Sequence, residues 1–285
     1  MKILIAGSAG FLGKNLYKRL GIEHEIIGID KNNGEYVDYS IDITDEEKIR
    51  NIIKEIGPDI IIDTAAISSV DYCESNQKET YNINVNSVKN LINGLDDNVK
   101  FIFISSDYVY DGIKGDFDEE SLTNPINYYG KMKREAELIV REHKNHLILR
   151  PTVVFGIDEG GKNFFMQLLE NQKEKKLMMV PADQYSNPIY INLLVEIINK
   201  SISKDLTGTF ITTGPETINR YDFALKICKI FNFDESLIKS VQTKDLKQVA
   251  SRPLNCGTNS SKIRKSLEME FPSLEESLLD LKNSL

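Results

Sequence analysis

Short apolar runs alternate with amphipathic stretches along the first half of the chain. Strands are predicted at residues 2–6, 25–29, 59–63, 100–104 and 146–149. Between these runs apolar residues recur at the spacing of a helix face, most clearly at residues 14–20 and 78–95. This alternation predicts a parallel sheet with helices on both faces, a doubly wound α/β fold of the Rossmann type.

A further helix is predicted to begin after Asn127, an N-cap residue that follows a proline-containing turn. Its core-facing positions are expected to be Ala136 and residues 138–140. Tyr129 and Lys133 stand four residues apart in this helix, so their side chains are expected to share one face.

The second half of the chain has shorter and more mixed elements. Helices are predicted near residues 163–171, 192–201 and 221–231, and β-structure at residues 177–180 and 208–212. Thr44 and Ser273 are each followed by Glu three positions later, which predicts capping boxes at two helix starts. We expect a Rossmann domain at residues 1–160 and a smaller α+β domain at residues 161–285, partly interleaved with the first.

The turn after the first strand carries three spaced glycines, Gly7, Gly10 and Gly13, and a helical pattern follows. In this context the glycines permit a tight turn, close approach of a pyrophosphate and close packing of helix on strand. Asp30 ends the second strand, where a carboxylate would bond the adenosine ribose hydroxyls and repel a 2′-phosphate. A nicotinamide dinucleotide is therefore predicted, NADH or NADPH, with NADH favoured.

Composition narrows the classes of function. A net charge of −8 over 285 residues and a pI near 5.1 argue against nonspecific nucleic-acid binding and against a basic membrane-facing patch. Apolar segments are too short for a membrane span or a signal peptide. The three cysteines are far apart, so neither a disulfide framework nor a zinc site is predicted. We expect a cytoplasmic protein without a metal.

Tyr129 and Lys133 suit proton transfer to a ketone oxygen. Reduction of a ketone needs hydride at carbon and a proton at oxygen, and an ammonium beside the phenol is expected to lower its pKa. Ser106 follows a predicted strand, where its hydroxyl would bond the substrate carbonyl. Asn84 is a candidate for a backbone or water link behind Lys133.

The same tyrosine–lysine spacing occurs in Tyr110 and Lys114. That pair spans Asp111 and Gly112, a turn signal, so its side chains need not share a face. Spacing alone is therefore a weak indication, and the predicted helix, Ser106 and the glycine loop distinguish the Tyr129 pair.

Together these segments resemble the extended short-chain dehydrogenase/reductases, and among them the dTDP-4-dehydrorhamnose reductase family, over nearly the full length. The more specific parts are Asp-Tyr-Val-Tyr-Asp-Gly at residues 107–112 and Arg-Pro-Leu-Asn at residues 252–255. The resemblance implies NAD(P)H-dependent reduction of the 4-keto group of a nucleotide-activated 6-deoxy sugar. The expected reaction converts dTDP-4-dehydrorhamnose to dTDP-L-rhamnose, in polysaccharide precursor synthesis.

The resemblance also implies a set of site residues. The catalytic residues would be Ser106, Tyr129 and Lys133. The residues that bind the cofactor would be Gly7, Gly10, Phe11, Leu12, Asp30, Asp42, Ile43, Ala65, Ala66, Ile67, Tyr129 and Lys133. The predicted substrate contacts are Ser106, Asp107, Val153, Asn163, Gln184 and Arg252.

One departure from the family bears on the substrate. The family's Arg-Thr-Ser-Trp segment reads Arg150-Pro151-Thr152-Val153 here, so an indole surface for the sugar is missing. Pro151 instead resembles the Arg-Pro of sugar-nucleotide epimerases. The identity of the sugar therefore stays open.

Two alternative functions fit the same fold. One is a sugar-nucleotide epimerase or dehydratase that retains NAD. The other is a non-catalytic dinucleotide-binding subunit, resembling the regulatory β subunit of methionine adenosyltransferase, although a binding subunit has no need for a matched Ser106, Tyr129 and Lys133. The expected partners are a nucleotide-sugar substrate and a second copy of the chain in a homodimer.

Overall fold

A seven-stranded parallel sheet forms the centre of the computed structural model, which describes residues 1–161 and 163–285. The strands are β1 (Lys2–Ala6), β2 (Glu25–Asp30), β3 (Tyr39–Ser40), β4 (Ile60–Asp63), β5 (Lys100–Ile104), β6 (His146–Arg150), β7 (Val154–Phe155), β8 (Met178–Pro181), β9 (Tyr185–Ser186), β10 (Ile189–Tyr190), β11 (Gly208–Ile211), β12 (Ile218–Asn219) and β13 (Ile238–Val241). The order in the sheet is β3-β2-β1-β4-β5-β6-β11. The predicted doubly wound α/β fold is confirmed.

Helices cover both faces of this sheet. They are α1 (Phe11–Leu20), α2 (Glu46–Ile56), α3 (Val70–Ser75), α4 (Gln77–Tyr81), α5 (Ser87–Ile92), α6 (Tyr128–Val140), α7 (Phe164–Lys173), α8 (Ile191–Ser203), α9 (Arg220–Phe231), α10 (Ser261–Leu267) and α11 (Leu274–Asn283). Short 3₁₀ turns lie at Asp107–Val109, Glu235–Leu237 and Thr243–Leu246, and a π-helical turn at Asn82–Asn86. Within the described ranges, no helix is long and apolar enough to cross a membrane.

The central strand β1 is apolar on both faces because both are buried. Ile3 and Ile5 belong to one core cluster, with side chains of α1 and α8, while Leu4 and Ala6 belong to a second, with α2, α5 and α6. Successive residues of a strand point to opposite faces, so one short apolar run supplies both cores.

The chain order reverses at β1, which lies between β2 and β4. The loops after β1 and after β4 therefore emerge side by side at the carboxyl edge of the sheet. Such a switch point is where open α/β sheets bind their ligands.

One strand and one helix of the second half of the chain pack against elements of the first half. Strand β11 pairs in parallel with β6, and α8 packs on α1. The smaller strand pairs of the second half, β8 with β13 and β9 with β12, lie outside the central sheet. The observed pairing interleaves the two halves of the chain, whereas the division at residue 160 stays a prediction.

The predicted helix caps are partly confirmed. Asn127 accepts a hydrogen bond from the Gly130 amide, and Ser273 forms the expected capping box. Thr44 does not cap a helix, because its hydroxyl donates to Asp42, and Asp45 is the N-cap of α2 instead.

One further local prediction is confirmed in outline and another is wrong. The helix expected at residues 78–95 is present as one continuous run over residues 77–92, formed by α4, the π-helical turn Asn82–Asn86 and α5, and within that turn Asn84 bonds the Ile67 backbone. Leu138 is 52% exposed, since Ala136 and Val140 already complete the buried face of α6.

Candidate active site

The loop between β1 and α1 is shaped for close approach of a phosphate group. Gly7 has φ +78°, and a Cβ there would lie 2.8 Å from the Ala65 backbone. A Cβ on Gly13 would lie 2.2 Å from the Gly7 carbonyl oxygen. Gly10 caps α1 without a side chain, which leaves the first amides of the helix free to donate to an anion. This geometry fits the pyrophosphate of a dinucleotide.

Asp30 lies at the carboxyl end of β2, one strand away from the glycine loop. Its Oδ1 accepts hydrogen bonds from the Asn32 amide at 3.0 Å and from the Asn32 side chain at 3.4 Å. Within the described chain its Oδ2 has no protein hydrogen bond, so this oxygen is free to accept from ribose hydroxyls. The predicted position of Asp30 at a strand end agrees with the structure.

The loop after β4 is held in place by two side chains. Thr64 donates to the Ala6 carbonyl at 2.8 Å, which ties the loop to β1. Asn84, 1% exposed, accepts from the Ile67 amide at 2.8 Å and donates to the Ile67 carbonyl at 2.9 Å. Asn84 therefore fixes the loop of Ala65, Ala66 and Ile67 opposite the glycine loop. Its observed partner is the Ile67 backbone, and the backbone or water link behind Lys133 stays a prediction.

The remaining predicted cofactor residues lie beside these loops. Ile43 is 8% exposed in the core under α2, and its carbonyl accepts from the Asn90 side chain. Asp42 is exposed, and its Oδ1 accepts from both the amide and the hydroxyl of Thr44. That oxygen is used within its own turn.

Ser106 and Asp107 emerge from the carboxyl end of β5. The Ser106 hydroxyl donates to Asp107 Oδ1 at 2.9 Å and accepts from the Tyr108 amide at 3.2 Å. The Thr152 hydroxyl donates to Asp107 Oδ2 at 2.6 Å. Burial raises the pKa of Asp107 to about 6, and these hydroxyl donors oppose that rise. Asp107 thus orients Ser106, and its contact with a substrate stays a prediction.

Tyr129 occupies the first turn of α6, beside Ser106 and with its ring edge-on to Tyr108 at 5.9 Å. Burial raises the pKa of the Tyr129 phenol, and the Ser106 hydroxyl opposes that rise. The predicted lowering of this pKa by Lys133 is wrong for this structure, because burial is the largest influence. The phenol therefore keeps its proton at neutral pH.

Lys133 is 4% exposed, one turn further along α6. Its Nζ donates to the Ile104 carbonyl at 2.8 Å and lies 4.8 Å from the centre of the Phe103 ring. Burial lowers the pKa of Lys133 to about 8, against the opposing effect of Asp63. Lys133 is thus anchored at the end of β5, the strand that also presents Ser106.

The control pair Tyr110 and Lys114 does not form a comparable site. The Tyr110 hydroxyl donates to the Asp118 carbonyl and accepts from Arg150, whereas Lys114 is exposed. A Cβ on Gly112, at φ +69°, would lie 2.1 Å from Pro253 Cβ. The two specific motifs, at residues 107–112 and 252–255, therefore pack against each other.

The predicted substrate residues have varied surroundings. Arg252 forms an ion pair with Asp71 at 3.0 Å. Asn163 caps α7, and the Gln184 side chain donates to Thr243 at 3.0 Å. Both amides make protein hydrogen bonds, so a substrate would have to compete for them.

Val153 adopts φ +41°, a conformation that strains a β-branched residue. It directly follows Thr152, the hydroxyl partner of Asp107. Strained residues of this kind concentrate at functional sites, and the contact of Val153 with a substrate stays a prediction.

Two charged residues near the site were not predicted, because neither belongs to a recognisable sequence motif. Arg220, at the start of α9, lies 5.0 Å from the Phe164 ring and within electrostatic range of Asp107, Tyr108 and Arg252. Asp63 is buried at the end of β4. The sequence feature that could have pointed to Asp63 is a carboxylate at the end of an otherwise apolar strand.

Comparison with known proteins agrees with this geometry. The family described as RmlD substrate binding domain matches residues 1–285. The chain belongs to this family.

Individual relatives cover almost the whole chain. The dTDP-4-dehydrorhamnose reductase of Aggregatibacter actinomycetemcomitans is 30% identical, over 99% of this chain and 98% of that protein. The crystal structure of dTDP-4-dehydrorhamnose reductase from Bacillus anthracis in complex with NADP has 30% identity and a TM-score of 0.91, covering 100% of this chain and 99% of that one. Methionine adenosyltransferase 2 subunit beta of Danio rerio is 25% identical, over 92% of this chain and 84% of that protein.

Proposed function

We propose that this chain is an NAD(P)H-dependent reductase of the 4-keto group of a nucleotide-activated 6-deoxy sugar. The first candidate reaction converts dTDP-4-dehydrorhamnose to dTDP-L-rhamnose. The observation that carries the proposal is the meeting of Ser106, Tyr129 and Lys133 at the carboxyl edge of the sheet, beside a phosphate-binding loop. The names of the bacterial relatives, dTDP-4-dehydrorhamnose reductase in both cases, support the same reaction.

Each of the three residues has a role that its surroundings support. Tyr129 keeps its proton at neutral pH and gives it to the carbonyl oxygen as negative charge develops there. Ser106 already donates its hydroxyl hydrogen to Asp107, and a substrate carbonyl oxygen would take that hydrogen bond over. Lys133 holds a positive charge at the end of β5. A bound nicotinamide would supply the hydride.

Two arginines provide positive charge for the substrate diphosphate. Arg252 is anchored by Asp71, whereas Arg220 has no ion pair with a carboxylate in the described chain and rests on Phe164. Burial lowers the pKa of Arg220, and the charge of Arg252 acts in the same direction. A diphosphate between them would relieve this repulsion, because its negative charge lies between the two cations. Each guanidinium group can donate two hydrogen bonds to phosphate oxygens.

The reaction is tested by a screen of NADH oxidation with dTDP-, UDP- and GDP-4-keto-6-deoxy sugars. We expect stoichiometric NADH consumption with at least one of them, most rapidly with the dTDP sugar. NAD that stays with the protein through purification, without net NADH oxidation, would instead favour the epimerase or dehydratase alternative.

A non-catalytic subunit is the second candidate, favoured by the likeness to methionine adenosyltransferase 2 subunit beta. It predicts that no keto-sugar supports NADH oxidation and that a partner protein co-purifies in a fixed ratio. The assembled Ser106, Tyr129 and Lys133 argue for the reductase. A cytoplasmic location and a homodimer complete the proposal.

Asp30 is expected to favour NADH over NADPH, since its free oxygen would face the 2′-position of the ribose. We expect Asp30→Ala to raise the ratio of kcat/KM for NADPH to that for NADH by about tenfold, the effect of removing roughly 1–2 kcal/mol of charge repulsion. The control is Glu35→Gln, which removes an exposed charge from the following loop and should leave the ratio unchanged. An unchanged ratio in Asp30→Ala would show that cofactor choice lies elsewhere.

A further inference from the structure

Asp63 is a buried carboxylate at the carboxyl end of β4, 1% exposed. Its Oδ1 accepts a hydrogen bond from the Ala65 amide at 3.1 Å. Its Oδ2 is buried and has no hydrogen-bond partner in the part of the chain that the structure describes. A buried ionised oxygen without a partner is costly unless a positive charge lies close to it.

Strand register brings Asp63 toward Lys133. Asp63 is paired with Phe103 on the neighbouring strand β5, so the two side chains point to the same face of the sheet, from strands about 4.8 Å apart. Lys133 reaches that face from α6, with Nζ 4.8 Å from the Phe103 ring centre and 2.8 Å from the Ile104 carbonyl oxygen. The carboxylate and the ammonium therefore lie on the same face of the sheet, near Phe103.

The two buried charges stabilise each other. Burial raises the pKa of Asp63 to about 6, and the Lys133 ammonium is the main influence against that rise. Burial lowers the pKa of Lys133 to about 8, and Asp63 is the main influence against that fall. Between these two values both groups are charged.

Other titratable groups near Lys133 contribute less. Cys73, on α3, faces the lysine as a neutral thiol, because burial raises its pKa. Glu137, one turn further along α6, also acts on the lysine, but both of its oxygens bind the Arg150 guanidinium at 2.8 and 2.6 Å. Among the described residues near the ammonium, Asp63 is therefore the carboxylate that has no other cationic partner.

We propose that Asp63 is the counter-ion of Lys133, a positioning residue that keeps the lysine ammonium charged inside the site. The upper pH limit of the reaction is then set by this pair and not by the lysine alone. The test of this inference by enzyme activity rests on the proposed function, because it measures keto-sugar reduction.

The first test is the pH profile of kcat/KM for keto-sugar reduction in Asp63→Asn. The amide keeps an acceptor for Ala65 and removes only the charge. Lys133 then loses its proton at lower pH, so the alkaline limb should move down by about one pH unit or more. The control is Asp59→Asn, an exposed carboxylate just before the same strand, whose profile should match the wild type. An alkaline limb that stays in place in Asp63→Asn overturns the proposal.

A second test needs neither turnover nor the Asp63 variant to fold. The Asp63 carboxyl carbon is titrated by NMR in the full-length wild type and in Lys133→Met. Loss of the ammonium should raise the Asp63 pKa by about one unit or more, and equal values in the two proteins overturn the proposal. If Lys133→Met shifts the Asp63 pKa but the wild-type chain reduces no keto-sugar, the interaction of Asp63 with Lys133 is supported and the proposed function is rejected.

Discussion

Replacing Tyr129 by phenylalanine is expected to lower kcat for keto-sugar reduction by about 10²–10⁴-fold. The change removes the proton donor but keeps the ring and its edge contact with Tyr108. Because the hydroxyl acts on the reacting oxygen, the dissociation constant for NADH should change little. Steady-state kinetics and NADH titration by fluorescence measure the two effects separately.

The matched control is Tyr128→Phe. Tyr128 is the adjacent phenol on α6, and it borders a surface groove with Lys78 and Tyr81 instead of lying beside Ser106. We expect this variant to keep its rate within about twofold, because no proton transfer passes through it. Wild-type turnover by Tyr129→Phe would falsify the assignment of the proton donor, and equal losses in both variants would point to damage to α6.

Replacing Glu137 by alanine is expected to lower the free energy of unfolding by about 3–5 kcal/mol at neutral pH. Glu137 and Arg150 are 2% and 1% exposed, and two hydrogen bonds of 2.8 and 2.6 Å join them. Ser105 also donates to Glu137 at 2.6 Å. Without the carboxylate, the Arg150 guanidinium stays buried, and the Tyr110 hydroxyl is its remaining hydrogen-bond partner among the described residues. Urea denaturation followed by circular dichroism measures the change.

The control is Arg141, an exposed cationic partner of the same carboxylate. Arg141 lies 3.4 Å from Glu137, but its side chain is 44% exposed, so Arg141→Ala should cost less than about 1 kcal/mol. An equally small loss in the free energy of unfolding of Glu137→Ala would mean that the attraction between Glu137 and Arg150 does little more than offset the cost of desolvating them. The pair joins α6, the helix of Tyr129 and Lys133, to β6, so its loss should also lower activity at elevated temperature.

Much of the fold follows from local pattern. The apolar run of β1 and the glycines after it predict a buried strand, a tight turn and a helix, because backbone conformation and burial there depend on neighbouring residues. Asn127 caps α6 for the same reason, since its side chain reaches an amide three residues away. Local rules do not show where a distant group takes part, as when Asn84 bonds Ile67 from a π-helical turn inside the helix predicted at residues 78–95.

The chemistry of the site depends on contacts that no local pattern encodes. Asp63 and Lys133 are 70 positions apart, and the pairing of β4 with β5 and the packing of α6 bring them to one face of the sheet. Arg252 and Asp71 form an ion pair between distant parts of the chain. The spacing of Tyr129 and Lys133 was enough to predict a shared helix face. The direction of the Tyr129 pKa was not predictable, because a pKa depends on burial and on charges gathered from distant elements.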